Sequence, residues 1–226
     1  MSDTHHFASV LPRAVASGEP QSIITYSGIG KRLLDICLAV ALLPVLVPVI
    51  LVLIGIVRLD GGAGLYGHTR IGRHGKPFAC LKVRTMVMNA EAMLSTHLSA
   101  NPDAAREWGR SFKLIDDPRI TRVGRILRRT GLDELPQIWN VLIGQMSLVG
   151  PRPVTEPELA MYGPNKSAYL SVRPGVTGMW QVHGRMTGCY KNRVQLDRGY
   201  LDAISLKSDI KLISQTALSV IRMTGC

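Results

Sequence analysis

Residues 36–57 read ICLAVALLPVLVPVILVLIGIV, 22 positions without a charge. This run limits the chain more than any other stretch, because an apolar segment of that length can reach across a hydrocarbon core. Two features argue against a plain spanning helix. Pro44 and Pro48 sit in its middle, where each removes a backbone hydrogen bond. Both flanks are also basic: Lys31 and Arg32 precede the run and Arg58 follows it. Residues 61–90 add Arg70, Arg73, Lys76, Lys82 and Arg84 without any acid. Lysine and arginine favour the cytoplasmic side of a bilayer, so both ends prefer the same face. A break near Pro48 leaves arms of about 12 and 10 residues, roughly 18 and 15 Å long, about half a bilayer each. The expectation is a re-entrant membrane helix over residues 29–58, bent at Pro48. A signal peptide fits poorly, since its apolar core is shorter and lies nearer the start.

With 27 Lys and Arg against 16 Asp and Glu, the net charge of +11 points to polyanionic partners: phosphorylated substrates, anionic lipid or nucleic acid. Aromatic residues make up only 5%, too few for the stacking platforms of a single-strand binder, so nucleic acid is not expected as a partner. Cys37, Cys80, Cys189 and Cys226 are widely spaced and form neither a zinc pattern with the histidines nor a disulfide framework.

Residues 1–28 lack periodicity and read as a mobile tail, leaving 59–226 as one compact domain. LYGHTR and PFACLKVRT, joined through IGRHGK, predict a β-hairpin with Gly72 and Gly75 in its turn. VMNAEAMLSTHLSA predicts a helix ended by Asn101-Pro102. Arg119, Arg122, Arg125 and Arg128 recur every third residue, a basic stripe on a helix that Gly131 interrupts. A new helix is expected from Asp133, with Pro136 in its first turn and Gly144 at its end. The segments around GPRP and RPGVTGMWQVHGR read as loops. In SLKSDIKLISQTALSVIRMTG, Ile210, Ile213, Ala217, Val220 and Ile221 share one face of an amphipathic helix, which packs on the core or lies on the membrane. The fold class is therefore mainly α with a small β-hairpin (α+β): a membrane helix plus a compact cytoplasmic domain with amphipathic surface helices.

The adjacent carboxylates in GLDELPQIWNVL, Asp133 and Glu134, have a structural reading as acidic residues in a first helical turn. They also have a chemical one. The chain carries no GxxxxGK[ST] loop, GxSxG elbow or HExxH helix. Carboxylates among arginines suit phosphoryl transfer, where a carboxylate acts as nucleophile or as a ligand for Mg²⁺. Neighbours on one turn cannot flank a sugar from opposite sides as a glycosidase pair must.

From Lys31 onward, about 195 of the 226 residues, the chain resembles the bacterial sugar transferases, monotopic polyprenyl-phosphate phosphoglycosyl transferases of the exopolysaccharide-initiating type. The resemblance rests on KRLLD, RIGRHGKPF, LKVRTM, DPRITRVGRILRRTGLDELPQIWNVLIGQMSLVGPRP, RPGVTGMWQVHGR and SLKSDIKLI, in that order. It implies that Asp133 attacks the sugar-linked phosphorus of a UDP-sugar and expels UMP, and that undecaprenyl phosphate then collects the sugar phosphate. It further implies Mg²⁺ at Asp133, a supporting role for Glu134, and phosphate contacts from Lys82, Arg84, Arg128, Arg152 and Arg185. The implied sugar is galactose or glucose, and the location is the cytoplasmic face of the bacterial inner membrane, in its inner leaflet. A homodimer is compatible with this reading. The alternative is a non-catalytic membrane-surface scaffold for glycan assembly. Where the family carries Ser-Pro in the membrane helix this chain has Val47-Pro48, so its bend rests on proline alone.

Overall fold

The computed structural model describes residues 26–59, 61–111, 114–184 and 190–221. The expected tail lies outside these residues up to position 25. Its last three positions do not belong to it: Tyr26–Gly30 forms a π-helical turn that runs directly into helix α1, Lys31–Arg58. The Tyr26 hydroxyl donates to Asp209 at 2.7 Å, which ties this turn to the far end of the chain.

Helix α1 has 28 residues, or about 42 Å at the α-helical rise. The two arms expected either side of Pro48 belong to one uninterrupted α-helix. Each proline costs a single bond, to the carbonyl four residues earlier, and both prolines face away from the domain. On the opposite side a continuous stripe holds the helix. Ala39, Leu43, Leu46 and Ile50 pack with Phe78, Cys80, Ile138, Val141 and Met146. Further along, Leu53 and Val57 pack with Val83 and Leu127. The remaining circumference stays apolar and exposed, with Val45, Leu51 and Val52 all more than 60% accessible.

Strands β1 (Leu65–Ile71) and β2 (Pro77–Val83) form the expected antiparallel hairpin, in register from Leu65 opposite Val83 to Ile71 opposite Pro77. The left-handed turn positions are His74 and Gly75, whereas Gly72 keeps an ordinary φ of −98°. Successive strand side chains alternate faces, so buried Phe78 and Cys80 share a face with Lys82. Asn140 holds this strand from the side, accepting from the Leu81 N–H at 3.0 Å and donating to the Ala79 carbonyl at 2.8 Å.

Helix α2 (Ala90–Ala100) ends where Asn101-Pro102 predicts, but Pro102 also begins a further helix, α3 (Pro102–Ser111). Helix α4 spans Arg122–Thr130. A 3₁₀ turn over Leu132–Glu134 and helix α5 (Gln137–Leu142) follow it. The arginine stripe is shorter than expected. Arg119 precedes the helix and is buried, paired through two bonds with Asp117 and stacked on Trp108.

Two three-residue strands, β3 (Ser147–Val149) and β4 (Gly175–Thr177), pair in parallel within segments that read as loops. Between them lie the short helices α6 (Glu156–Ala160) and α7 (Lys166–Leu170). Helices α8 (Tyr190–Asp202) and α9 (Leu206–Ile221) complete the domain. The packed face of α9 differs from the expected one. Asp209 and Leu212 are buried and Ile213 packs with them, while Ile210 is half exposed and Ala217 points outward. Buried Asp209 accounts for the rotation: it accepts from Tyr26, Lys31 and Tyr200 and so must face inward. The architecture remains mainly helical with a small hairpin.

Candidate active site

The 3₁₀ turn that carries the two carboxylates is placed by the helix before it. Thr121 caps α4 by accepting from the Gly124 N–H at 2.9 Å. Gly124 lies so close to the strand that an added Cβ would come within 2.1 Å of the Thr85 carbonyl oxygen. Only glycine lets the helix rest directly on the chain leaving β2. Arg128 then reaches Thr85 Oγ1 at 2.9 Å. Gly131, at a φ of 74°, ends the helix in the left-handed conformation and turns the chain back towards Lys82.

Asp133 is therefore not a helix cap. It makes no capping bond, and Pro136 occupies the position before α5. The Asp133 side chain is buried, and Lys82 Nζ lies 3.9 Å from its Oδ2. The same ammonium is 2.7 Å from Glu134 Oε1, and Arg152 Nη2 approaches that oxygen at 3.3 Å. Burial raises the Asp133 pKa; Lys82, Arg128 and Arg152 pull it down, Glu134 pushes it further up, and the balance stays above the ordinary carboxylate value. A more basic carboxylate is a better nucleophile once ionised.

A second layer of charge supports the first. Arg152 stacks on Trp180, with 5.7 Å from guanidinium to ring centroid. Arg193 lies between Trp180 and Tyr190, 5.2 Å from each ring centroid, and donates to the Arg152 carbonyl at 3.1 Å. Glu158 accepts from Arg70 at 2.7 Å and from Arg193 at 3.4 Å. It also completes a capping box with Thr155. Arg70, Cys80, Lys82, Glu134 and Arg152 line a narrow cleft of about 10 Å³, room for roughly one water.

Of the five expected phosphate contacts, Lys82, Arg128 and Arg152 converge on Asp133 and Glu134. Arg84 does not join them. It is buried and donates to the Ala63 and Val57 carbonyls at 2.7 Å each and to the Met86 carbonyl at 3.2 Å, so it secures the end of α1 to the hairpin. Arg185 lies outside the described residues. Sequence reasoning missed Arg70, Glu158 and Arg193. The Thr155-Glu158 spacing of a capping box and the Arg193–Asp197 spacing of one helical turn were the available signals.

Known proteins resemble the chain over this whole region. A UDP-galactose-lipid carrier transferase of Erwinia amylovora is 47% identical over 195 residues, covering 86% of this chain and 41% of its own. An undecaprenyl-phosphate galactose phosphotransferase of Salmonella typhimurium has the same identity and coverage. The chain thus spans about two-fifths of the length of these relatives. The exopolysaccharide production protein ExoY of Sinorhizobium fredii is 44% identical over 208 residues, 92% of both chains. The family model described as bacterial sugar transferase matches residues 26–223, from the turn that enters α1 to the end of α9 and across the carboxylate pair. By that match and these identities, the chain belongs to the bacterial sugar transferase family.

Proposed function

We propose that the chain transfers a hexose 1-phosphate from a UDP-hexose to undecaprenyl phosphate, releasing UMP, as the first membrane step of exopolysaccharide synthesis. The observation that carries this reading is a buried carboxylate, Asp133, set beside Glu134 and faced by Lys82, Arg128 and Arg152. An Asp133 oxygen attacks the sugar-linked phosphorus, and the bond from that phosphorus to the UMP oxygen breaks. The result is a sugar phosphate esterified to Asp133 and free UMP. The lipid phosphate oxygen then attacks the same phosphorus and releases the Asp133 carboxylate unchanged. Lys82 and Arg152, held by Glu134 when no substrate is bound, are the cations that incoming phosphates draw away from it. The lipid acceptor, with a second pKa near 6, arrives mostly dianionic. Glu134 therefore positions cations and acceptor instead of serving as the base.

Magnesium fits the donor set. Mg²⁺ takes one or two protein carboxylates and completes its shell with water and substrate phosphates. Asp133 with neighbouring Glu134 offers that pattern, and no larger cluster of ligating side chains gathers among the described residues. Bound at Asp133, the ion would neutralise charge on the two donor phosphates.

Helix α1 supports a placement on one face of the membrane. Its N-terminal end is fastened by Lys31 to Asp209 and by Arg32 to the Val141 and Leu142 carbonyls. Its C-terminal end is fastened by Arg84 to the Val57 carbonyl. Both ends thus belong to the same domain, and the stripe between them is covered by it. A perpendicular span would drag that domain, with its irregular backbone and charges, into hydrocarbon. The helix instead lies along the cytoplasmic face of the inner membrane, its exposed apolar side in the lipid. Exposed Ile126 on α4, Trp139 on α5 and Ile143 just after it, with Arg122, Arg125 and Arg129 on α4, suit the same interface.

The test is UMP release by the purified full chain with UDP-galactose or UDP-glucose and undecaprenyl phosphate, with mass spectrometry after donor alone. The names of the Erwinia and Salmonella relatives favour galactose. A scaffold would release no UMP with either donor and carry no added hexose phosphate.

A further inference from the structure

A second cleft, of about 430 Å³, opens at the start of α1 and shares no lining residue with the cleft at Glu134. That volume is within the ~300–1,000 Å³ of small-molecule sites. Its charged lining is Lys31, Asp35, Arg73 and Arg173, and Leu201 and Ile204 supply an apolar wall. The two arginines come from different elements: Arg73 from the exposed hairpin turn, Arg173 from the loop before β4.

Most polar groups here already have partners. Lys31 pairs with Asp209, and Asp35 accepts from Ser147 Oγ at 3.0 Å and from the Leu148 N–H at 2.9 Å. Arg173 uses one N–H on the Gly144 carbonyl, at 2.8 Å. Among the described residues, no carboxylate is paired with either Arg73 or Arg173. Burial and the nearby charges of Arg32 and Arg73 lower the Arg173 pKa, the mark of a guanidinium crowded by its own kind. Asp209 balances Lys31 and Asp35 offsets one arginine, so with Arg32 close by the cleft keeps a net positive charge.

We propose that this cleft is a second anion site, in which Arg73 and Arg173 take one phosphate group, and that its occupant is the phosphodiester headgroup of an acidic lipid. The cleft lies where the apolar run meets its basic flank, which is headgroup depth for a helix held in the inner leaflet. The apolar wall is suited to the glycerol and upper acyl carbons. The site is separate from Asp133 and stands whether or not the phosphosugar chemistry is as described.

The experiment uses the full chain in a neutral detergent and follows its unfolding temperature against added phosphatidylglycerol, phosphatidylcholine or inorganic phosphate. Phosphatidylglycerol should raise the unfolding temperature saturably, and phosphatidylcholine should not. Arg73→Gln should move the midpoint about tenfold higher, the worth of one charge-assisted hydrogen bond. Among the described residues the Arg73 side chain has no hydrogen-bond or ion-pair partner to lose, so this variant keeps the test clean where Arg173→Gln lowers starting stability. Arg106→Gln, on exposed α3, should leave the midpoint unmoved, as should Asp133→Asn. A shift with inorganic phosphate that Arg73→Gln removes supports the phosphate site and makes its source soluble. No response to either anion, or a phosphatidylglycerol response that Arg73→Gln and Arg173→Gln both retain, overturns the proposal.

Discussion

Replacing Arg84 with Gln separates a structural arginine from a substrate-binding one. The guanidinium donates to three backbone carbonyls, those of Val57, Ala63 and Met86, and is buried where it does so. A hydrogen bond from a charged donor is worth about 1.5–3 kcal/mol, and a buried acceptor left without a donor costs about 1–3 kcal/mol. Such terms do not add fully when they share one side chain. A neutral, shorter Gln that keeps one contact should therefore lose roughly 3–5 kcal/mol. At about 2–4 °C per kcal/mol for a chain of this size, the unfolding temperature should fall by roughly 6–20 °C. Thermal unfolding of the full chain in detergent reads this directly, and the KM for the UDP-sugar, measured well below the new transition, should stay within about twofold. The reasoning fails if Arg84→Gln unfolds like wild type while its KM rises tenfold or more, for then Arg84 touches the donor.

Asp133→Asn should abolish UMP release and the covalent adduct while unfolding within a few degrees of wild type, since the amide has the same shape; retained turnover would rule out Asp133 as nucleophile. Glu134 raises the Asp133 pKa, so Glu134→Gln removes that push and frees Lys82 and Arg152 to favour the ionised form. Because the ionised carboxylate is the reactive one, the acid limb of adduct formation with donor alone should move to lower pH, and an upward move would contradict the electrostatics. Chelation with EDTA should stop UMP release and added Mg²⁺ restore it; full activity after thorough chelation would leave the arginines as sole counter-charge. Cysteines placed at Ser27 and Gly62, in a chain without native cysteines, should both escape an impermeant thiol reagent in intact cells and both react after lysis. Labelling of residue 27 in intact cells would put the two ends of α1 on opposite faces.

What could be read in advance follows the strength of each local signal. The hairpin was visible because seven-residue strands show alternation and the turn between them carries glycine. The positions of α1 and of the carboxylate pair were visible because each sits in a long, distinctive run. The strands around Leu148 and Val176 were not, since three residues carry no period and their parallel pairing is set by distant chain. Leu132-Asp133-Glu134-Leu135-Pro136 has the composition of a helix start, so the burial of Asp133 in a 3₁₀ turn became apparent only once Gly131 and Lys82 were in place. Arg84 looked like nearby Lys82, but it lies just past the end of β2, where the chain has left the strand, and its partners are carbonyls that no sequence pattern marks. The inward face of α9 was misjudged because a buried aspartate interrupts the apolar stripe that usually marks such a face.

The bond from Lys31 to Asp209 also sets an order of events during synthesis. Its partners are 178 residues apart, which at bacterial elongation rates of about 5–20 residues per second separates them by roughly 9–36 s. Throughout that interval α1 exists without the helix that closes over its beginning, and its stripe from Ala39 to Val57 has yet to be covered. A helix of this length and hydropathy is apolar enough to partition into lipid. On the membrane placement proposed above, the bilayer is the first solvent able to cover that stripe, and the domain would assemble afterwards against a helix already immersed. Transplanting Asp209's helix to a separate polypeptide would leave that first step intact and stall only the last.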